Sequence, residues 1–185
     1  MSSFATATSR RRAAAPTYDG RPAPRWAVIA AHVVPLTTVG AGLWRLPVAA
    51  GLSMGVLVDG VPAHVHGWES VYVVSLSVVS ELAALLTLGL VRPWGERVPR
   101  WIPGLGGRRI PPRPVVAVAA TGAVALSVIW AFGLANYISN DTMTFSSPVW
   151  EAVLIASYLP LLAWGPLLAA VTWAYHRRRR GRQAH

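Results

Sequence analysis

Two side chains here are of a kind that rarely sits in an apolar segment without a task, Glu81 and His32. Glu81 lies in the middle of the apolar run 71–91, and insertion scales put an ionised side chain at the centre of a bilayer at about 2.5–3.5 kcal/mol. It must then be paired, protonated or turned to a wet cavity, and each state suits a proton carrier or an acid–base catalyst. Ser77 sits one turn away on the same face, with Ser80 beside it, so a helix over this run would carry a polar stripe. His32 lies six residues into the run 26–46. Counted from the same membrane face, the two groups are offset by roughly 6 Å along the axis, and a His32–Glu81 pair would be a proton relay or a general acid–base couple. The plainer reading stands beside it: a protonated Glu81 bonded to a neighbouring helix as glue, and His32 as an ordinary interhelical donor.

Two further groupings could do chemistry. His64, His66 and Glu69, with Asp59 nearby, are of the right type for Zn²⁺ or Cu²⁺, and an extended backbone would put both imidazoles on one face. The spacing matches no strong metal signature, and two solvated histidines ahead of a helix explain it as well. Asn136, Asn140, Asp141 and Glu151 form the second grouping, with Arg45 opposite. Ser147-Pro148 followed by Glu151 reads as a helix start with an acidic first turn, which suits the helix dipole. Together Arg45, Glu69, Asp141 and Glu151 would make a polar mouth above a path formed by Ser77, Glu81, Asn136 and Tyr158.

The elements that must position these residues are four apolar runs, 26–46, 71–91, 115–138 and 149–175. Each reaches the roughly 20 residues that an α-helix needs to cross about 30 Å of hydrocarbon. The runs divide the charge. All 17 basic residues are Arg, and all except Arg45 fall in the N-terminal tail, the middle loop or the C-terminal tail. The other two connections carry Asp59, Glu69 and Asp141 and no Arg. The positive-inside rule then puts both termini in the cytoplasm, consistent with an even number of spans. The expected fold is an all-α membrane protein, a four-transmembrane-helix bundle with N-in/C-in topology in a bacterial plasma membrane. A basic tail expected to be disordered covers residues 1–25, the helical domain covers 26–175, and a second basic tail covers 176–185. Ser9-Arg10-Arg11-Arg12 superficially matches a twin-Arg signal, but the run that follows is too distant and too long for a removable one.

Tryptophans agree with these boundaries, because indole favours the headgroup level. Trp26, Trp94 and Trp173 fall at the inner boundary, Trp44, Trp68 and Trp150 at the outer one, and Trp130 and Trp164 lie deeper. Pro160 and Pro166 predict a bend in the fourth run near Tyr158. Ala117, Thr121 and Ala125 on the third run form a small-residue seam suited to close helix contact.

Composition excludes several classes. The chain has no Cys, so disulfides, thiolate metal sites and dithiol redox chemistry are ruled out. Nucleic acid is disfavoured although the net charge is +10, because the charge lies where chain orientation demands it. No cofactor is expected; bis-His haem ligation would need two imidazoles in spans and only His32 qualifies.

The middle loop, 92–114, interleaves Arg, Trp and Pro. Arg92, Trp94, Arg97, Arg100, Trp101, Arg108 and Arg109 are placed to lie on anionic lipid headgroups. The stretch 90–114 resembles the cytoplasmic connection of small, largely uncharacterised integral membrane proteins of actinobacteria. That resemblance covers the second and third helices loosely, and implies four spans and no particular activity. Three functions fit the residues: a non-enzymatic bundle working by association, as a homo-oligomer or within a membrane complex; a small proton-coupled transporter using Glu81; or a lipid-modifying enzyme using Glu81 and His32.

Overall fold

The computed structural model describes residues 22–92, 95, 110–139 and 143–180. Helix α1 spans Arg25–Ala49, α2 Trp68–Leu86, α3 Pro112–Ser139, α4 Pro148–Tyr158 and α5 Trp164–Arg180. A 3₁₀ turn, Thr87–Leu90, continues α2, and a second 3₁₀ stretch, Leu159–Ala163, joins α4 to α5. Taken with these turns the helices make four units long and apolar enough to cross a membrane, Arg25–Ala49, Trp68–Leu90, Pro112–Ser139 and Pro148–Arg180. The fold is the expected all-α four-helix arrangement.

The bend expected in the fourth unit is a break. Pro160 has no N–H to offer and its ring crowds the preceding turn, so the chain tightens to 3₁₀ geometry there before α5 resumes. Pro166 falls in the first turn of α5, where a missing donor costs little. In α1, by contrast, Pro35 and Pro47 sit inside one continuous helix. The helices also run past the apolar runs. α3 opens at Pro112, a residue favoured at a helix start, and α5 continues to Arg180 because Arg propagates a helix well and cations are stabilised in its last turn.

α1 and α5 carry most of the core. α1 contacts α2, α4 and α5, whereas α3 leans on α5 and the 159–163 stretch. Ala31, Val34 and Ala41 of α1 bury against Leu161, Trp164, Leu168, Val171 and Tyr175. Two helix crossings are close at a glycine. A Cβ on Gly40 would lie 3.0 Å from the Ser157 carbonyl oxygen of α4, and one on Gly165 would lie 2.8 Å from the Ser127 nitrogen and 2.9 Å from the Ala123 oxygen of α3. Such small-residue contacts let backbones approach where apolar burial cannot drive helices together.

One end of the bundle is closed by a small sheet not foreseen in the sequence. Strand β1 (Val56–Val58) pairs antiparallel with β2 (Val61–Pro62) on one edge and with β3 (Met143–Phe145) on the other. Asp59 and Gly60 form the two-residue turn, both with positive φ, 51° and 78°, the geometry that an Asp-Gly hairpin favours. At this sheet end Trp44 meets Trp150 edge to face, ring centroids 6.2 Å apart.

At the opposite, arginine end Trp26 meets Trp173 at 6.4 Å, so the tryptophans pair by level as the boundaries anticipate. There the Arg178 Nη2 donates to the Leu90 carbonyl at 3.1 Å and the Arg179 Nη2 to the Ile110 carbonyl at 2.9 Å. The first bond satisfies an orphan carbonyl at the end of the α2 unit. The two bonds anchor α5 to both borders of the middle loop, so residues 176–180 are helix and only 181–185 lie beyond the described residues.

The two glycine environments give a paired expectation. Gly165→Val should lower thermal stability in detergent by about 1–3 kcal/mol through overpacking. Gly133→Ala, where nothing lies within 4 Å of the added carbon, should be neutral or stabilising by up to ~1 kcal/mol. Equal effects would show that α3 does not dock where described.

Candidate functional site

Arg45 belongs to the last two turns of α1 but points inward, only 8% exposed. Its guanidinium lies over the Tyr158 ring, 5.3 Å from the centroid, and Tyr158 in turn meets the Trp130 ring of α3 edge to face at 6.2 Å. The break at Pro160 is what ends α4 at Tyr158 and lets the two halves of this unit take separate courses. Arg suits this position because its charge is delocalised, weakly hydrated and planar, so it stacks on an aromatic face. Among the described residues no carboxylate pairs with it. Of the expected outer cluster of Arg45, Glu69, Asp141 and Glu151, the described acids Glu69 and Glu151 do not pair with Arg45. Glu69 is exposed in the first turn of α2. Glu151 lies in the first turn of α4, as expected, and accepts a hydrogen bond from the Tyr137 hydroxyl of α3 at 2.8 Å. Asp141 and Asn140 lie outside the described residues.

Glu81 is half-buried on α2 and its Oε1 lies over Gly42 of α1, 3.4 Å from where a Cβ would stand. A glycine there gives the carboxyl a niche against the neighbouring helix. Gly42 is three residues before Arg45, so acid and cation lie about one turn apart along α1. The serines of the stripe do not solvate the acid: Ser77 Oγ donates to the Val73 carbonyl at 3.1 Å and Ser80 Oγ to the Leu76 carbonyl at 2.7 Å. Each closes a bond on its own helix, as hydroxyls in helices do. Ser77 is buried, but Asn136 is exposed on α3, a helix that contacts α5 rather than α2. The path proposed from Ser77, Glu81, Asn136 and Tyr158 is therefore not one continuous line.

His32 is not brought to Glu81. Its Nδ1 lies 2.7 Å from the Val28 carbonyl and its Nε2 3.1 Å from the Arg92 Nη2. Those partners assign the proton to Nδ1 and leave Nε2 as acceptor, so both ring nitrogens are occupied. Along α1, His32 and Gly42 are separated by roughly 15 Å. The axial count failed because it set the inner ends of the first two runs level, whereas α2 is slid toward the sheet end of α1.

The histidines of the sheet end fare differently. The His64 and His66 ring centroids are 6.0 Å apart, with His64 Nδ1 at 2.8 Å from the Pro62 carbonyl. Among the described residues no group of three His, Asp or Glu could hold a metal ion. Asp59, weighed as a ligand donor, is instead a residue of the hairpin turn. Of the residues expected at headgroups only Arg92 is described, and it bonds His32; Trp94, Arg97, Arg100, Trp101, Arg108 and Arg109 lie outside the described residues.

What sequence reasoning missed is the inward course of Arg45 and the donor-rich interior beside it. The indole N–H groups of Trp130 and Trp164 are buried with no hydrogen-bond partner. A cation, a phenol and an unbonded indole N–H thus cluster at Tyr158, with one carboxyl a turn away. Such a set can hold a hydrogen-bond acceptor or an anion. No family model matches the chain, and no curated protein or solved structure does.

A double-mutant cycle on Arg45→Met and Tyr158→Leu measures the central contact. A coupling of about 0.5–2 kcal/mol is expected for a cation over a ring. Strictly additive effects on unfolding in detergent would show that the guanidinium does not stack.

Proposed function

We propose that this chain is a non-enzymatic accessory bundle of a bacterial plasma membrane, with its arginine end in the cytoplasm, acting by lateral self-association through α3. Four membrane-capable helices fit an integral, multi-pass protein. The observation that carries the specific reading is how much of α3 stays exposed beyond its contact with α5. Within its apolar window only 6% of residues are buried, against 33% in α1, and Ala117, Thr121 and Ala125 all face outward. A helix of small residues with one packed flank offers a close-contact face to a second helix.

A second reading, proton-coupled transport, draws support from one feature, the Glu81 carboxyl over Gly42, which receives no hydrogen bond from a described residue. The enzyme reading with Glu81 and His32 loses its pair to Arg92 and Val28 and is set aside.

A cysteine-free chain makes the test direct. Thr121→Cys in proteoliposomes should give disulfide-linked dimers under mild oxidation, while Leu82→Cys, exposed on α2, should not. Comparable crosslinking at both positions sinks self-association through α3. Glu81→Gln should leave dimer yield unchanged; loss of a measured proton flux on the same substitution would favour the transport reading. For orientation, an impermeant maleimide added to intact cells should label Asp59→Cys and spare Arg180→Cys.

A further inference from the structure

A groove of about 420 Å³ runs between α3 and α5, lined by Val116, Ala120, Val124 and Val128 on one side and by Ala169 and Trp173 on the other, with His176 at one end. Its two hydroxyls are already committed: Ser127 Oγ donates to the Ala123 carbonyl and Thr172 Oγ1 to the Leu168 carbonyl. Neither hydroxyl is therefore free to donate, and walls made largely of Val and Ala suit an apolar occupant. The end near His176 is the opposite in character. Arg113 lies one turn before Val116 on the same face of α3, exposed, and Arg180 lies two turns beyond Trp173 on the same face of α5, also exposed. Arg177 stacks on Trp173, 4.8 Å from a ring of that indole.

We infer that this groove holds one acyl chain of an anionic phospholipid, its phosphate resting among Arg113, His176, Arg177 and Arg180. Volume decides against the obvious rival. At roughly 30 Å³ for a group of water or methylene size, the groove takes about 14 methylenes, most of one chain. An α-helix about 10 Å across filling the same length, about 18 Å from Val116 to Val128, would need more than ~1,000 Å³. A second copy's helix can lie over this groove but not in it. The charge at the mouth selects the headgroup, since basic residues beside a membrane favour anionic lipid. The groove borders the α3 seam, Val124 and Val128 lying one turn from Thr121 and Ala125, but lipid binding there does not require self-association.

The test is native mass spectrometry of the full chain released from micelles doped with phosphatidylglycerol or with phosphatidylcholine of identical chains. One phosphatidylglycerol per chain should be retained, at least about five-fold over phosphatidylcholine. Ala120→Phe with Ala169→Phe, which fills the groove, should abolish retention of both lipids. Arg113→Gln with Arg180→Gln, at exposed positions that leave packing intact, should remove the headgroup preference while a lipid is still retained. Equal retention of the two lipids by the wild-type chain overturns the proposal. So does undiminished phosphatidylglycerol on a filled groove whose melting temperature matches wild type, which would place the lipid elsewhere.

Discussion

Hydrocarbon supplies no hydrogen-bond partners, and nearly every local feature of this chain answers to that shortage. A backbone group left open in such a medium costs several kcal/mol, so the spans are helices whose bonds close within each segment. The hydroxyls follow the same rule: those of Thr37, Thr38, Ser77, Ser80, Ser127, Ser157 and Thr172 each donate to a carbonyl three or four residues back. They are thereby withdrawn from chemistry between helices. A polar stripe written along α2 is, in three dimensions, one acid and a set of self-satisfied serines.

Where the ladder cannot close, the structure places something specific. Pro160 opens the fourth span, and the chain answers with 3₁₀ geometry and ends α4 at the residue that carries Arg45. The last carbonyl of the α2 unit is closed by Arg178 from α5, and the carbonyl ahead of α3 by Arg179. The basic run after the fourth apolar unit is thus a pair of hydrogen-bonding arms that fix the middle loop's borders, because a helix that continues past the apolar run carries its arginines back over the neighbouring helix ends.

The spans were legible because their signal is composition over 20 or so residues, which needs no knowledge of neighbours. That Trp26 and Trp173 share one level and Trp44 and Trp150 the other was legible for the same reason, since depth sorts those rings; which of them touch was not. Register between helices was not. Whether His32 faces Glu81 depends on a slide of α2 along α1, and no local pattern encodes it; the niche at Gly42 and the Arg92–His32 bond settle it instead. The sheet was readable in principle. Asp59-Gly60 between Val56-Leu57-Val58 and Val61 is a short-range hairpin signal of the strongest kind, passed over because Asp59 was weighed as a metal donor. The inward turn of Arg45 had no comparable signal, since an arginine near a helix end is as well suited to reach outward to water.

Arg45 and Glu81 raise the question of why a cation and an acid one turn apart do not pair. An ion pair in a medium of low dielectric regains the cost of desolvation only with good geometry and with the remaining donors satisfied. Arg45 instead lies flat on Tyr158, a contact that asks for no second buried charge, and Glu81 rests over a glycine on the adjoining helix. Arg45 is buried against its ring while Glu81 is half-buried, so the two groups sit in different surroundings. Held apart in this way, the guanidinium joins α1 to the end of α4 through the Tyr158 ring while the carboxyl packs over Gly42 of α1, two contacts that a direct salt bridge would have merged into one.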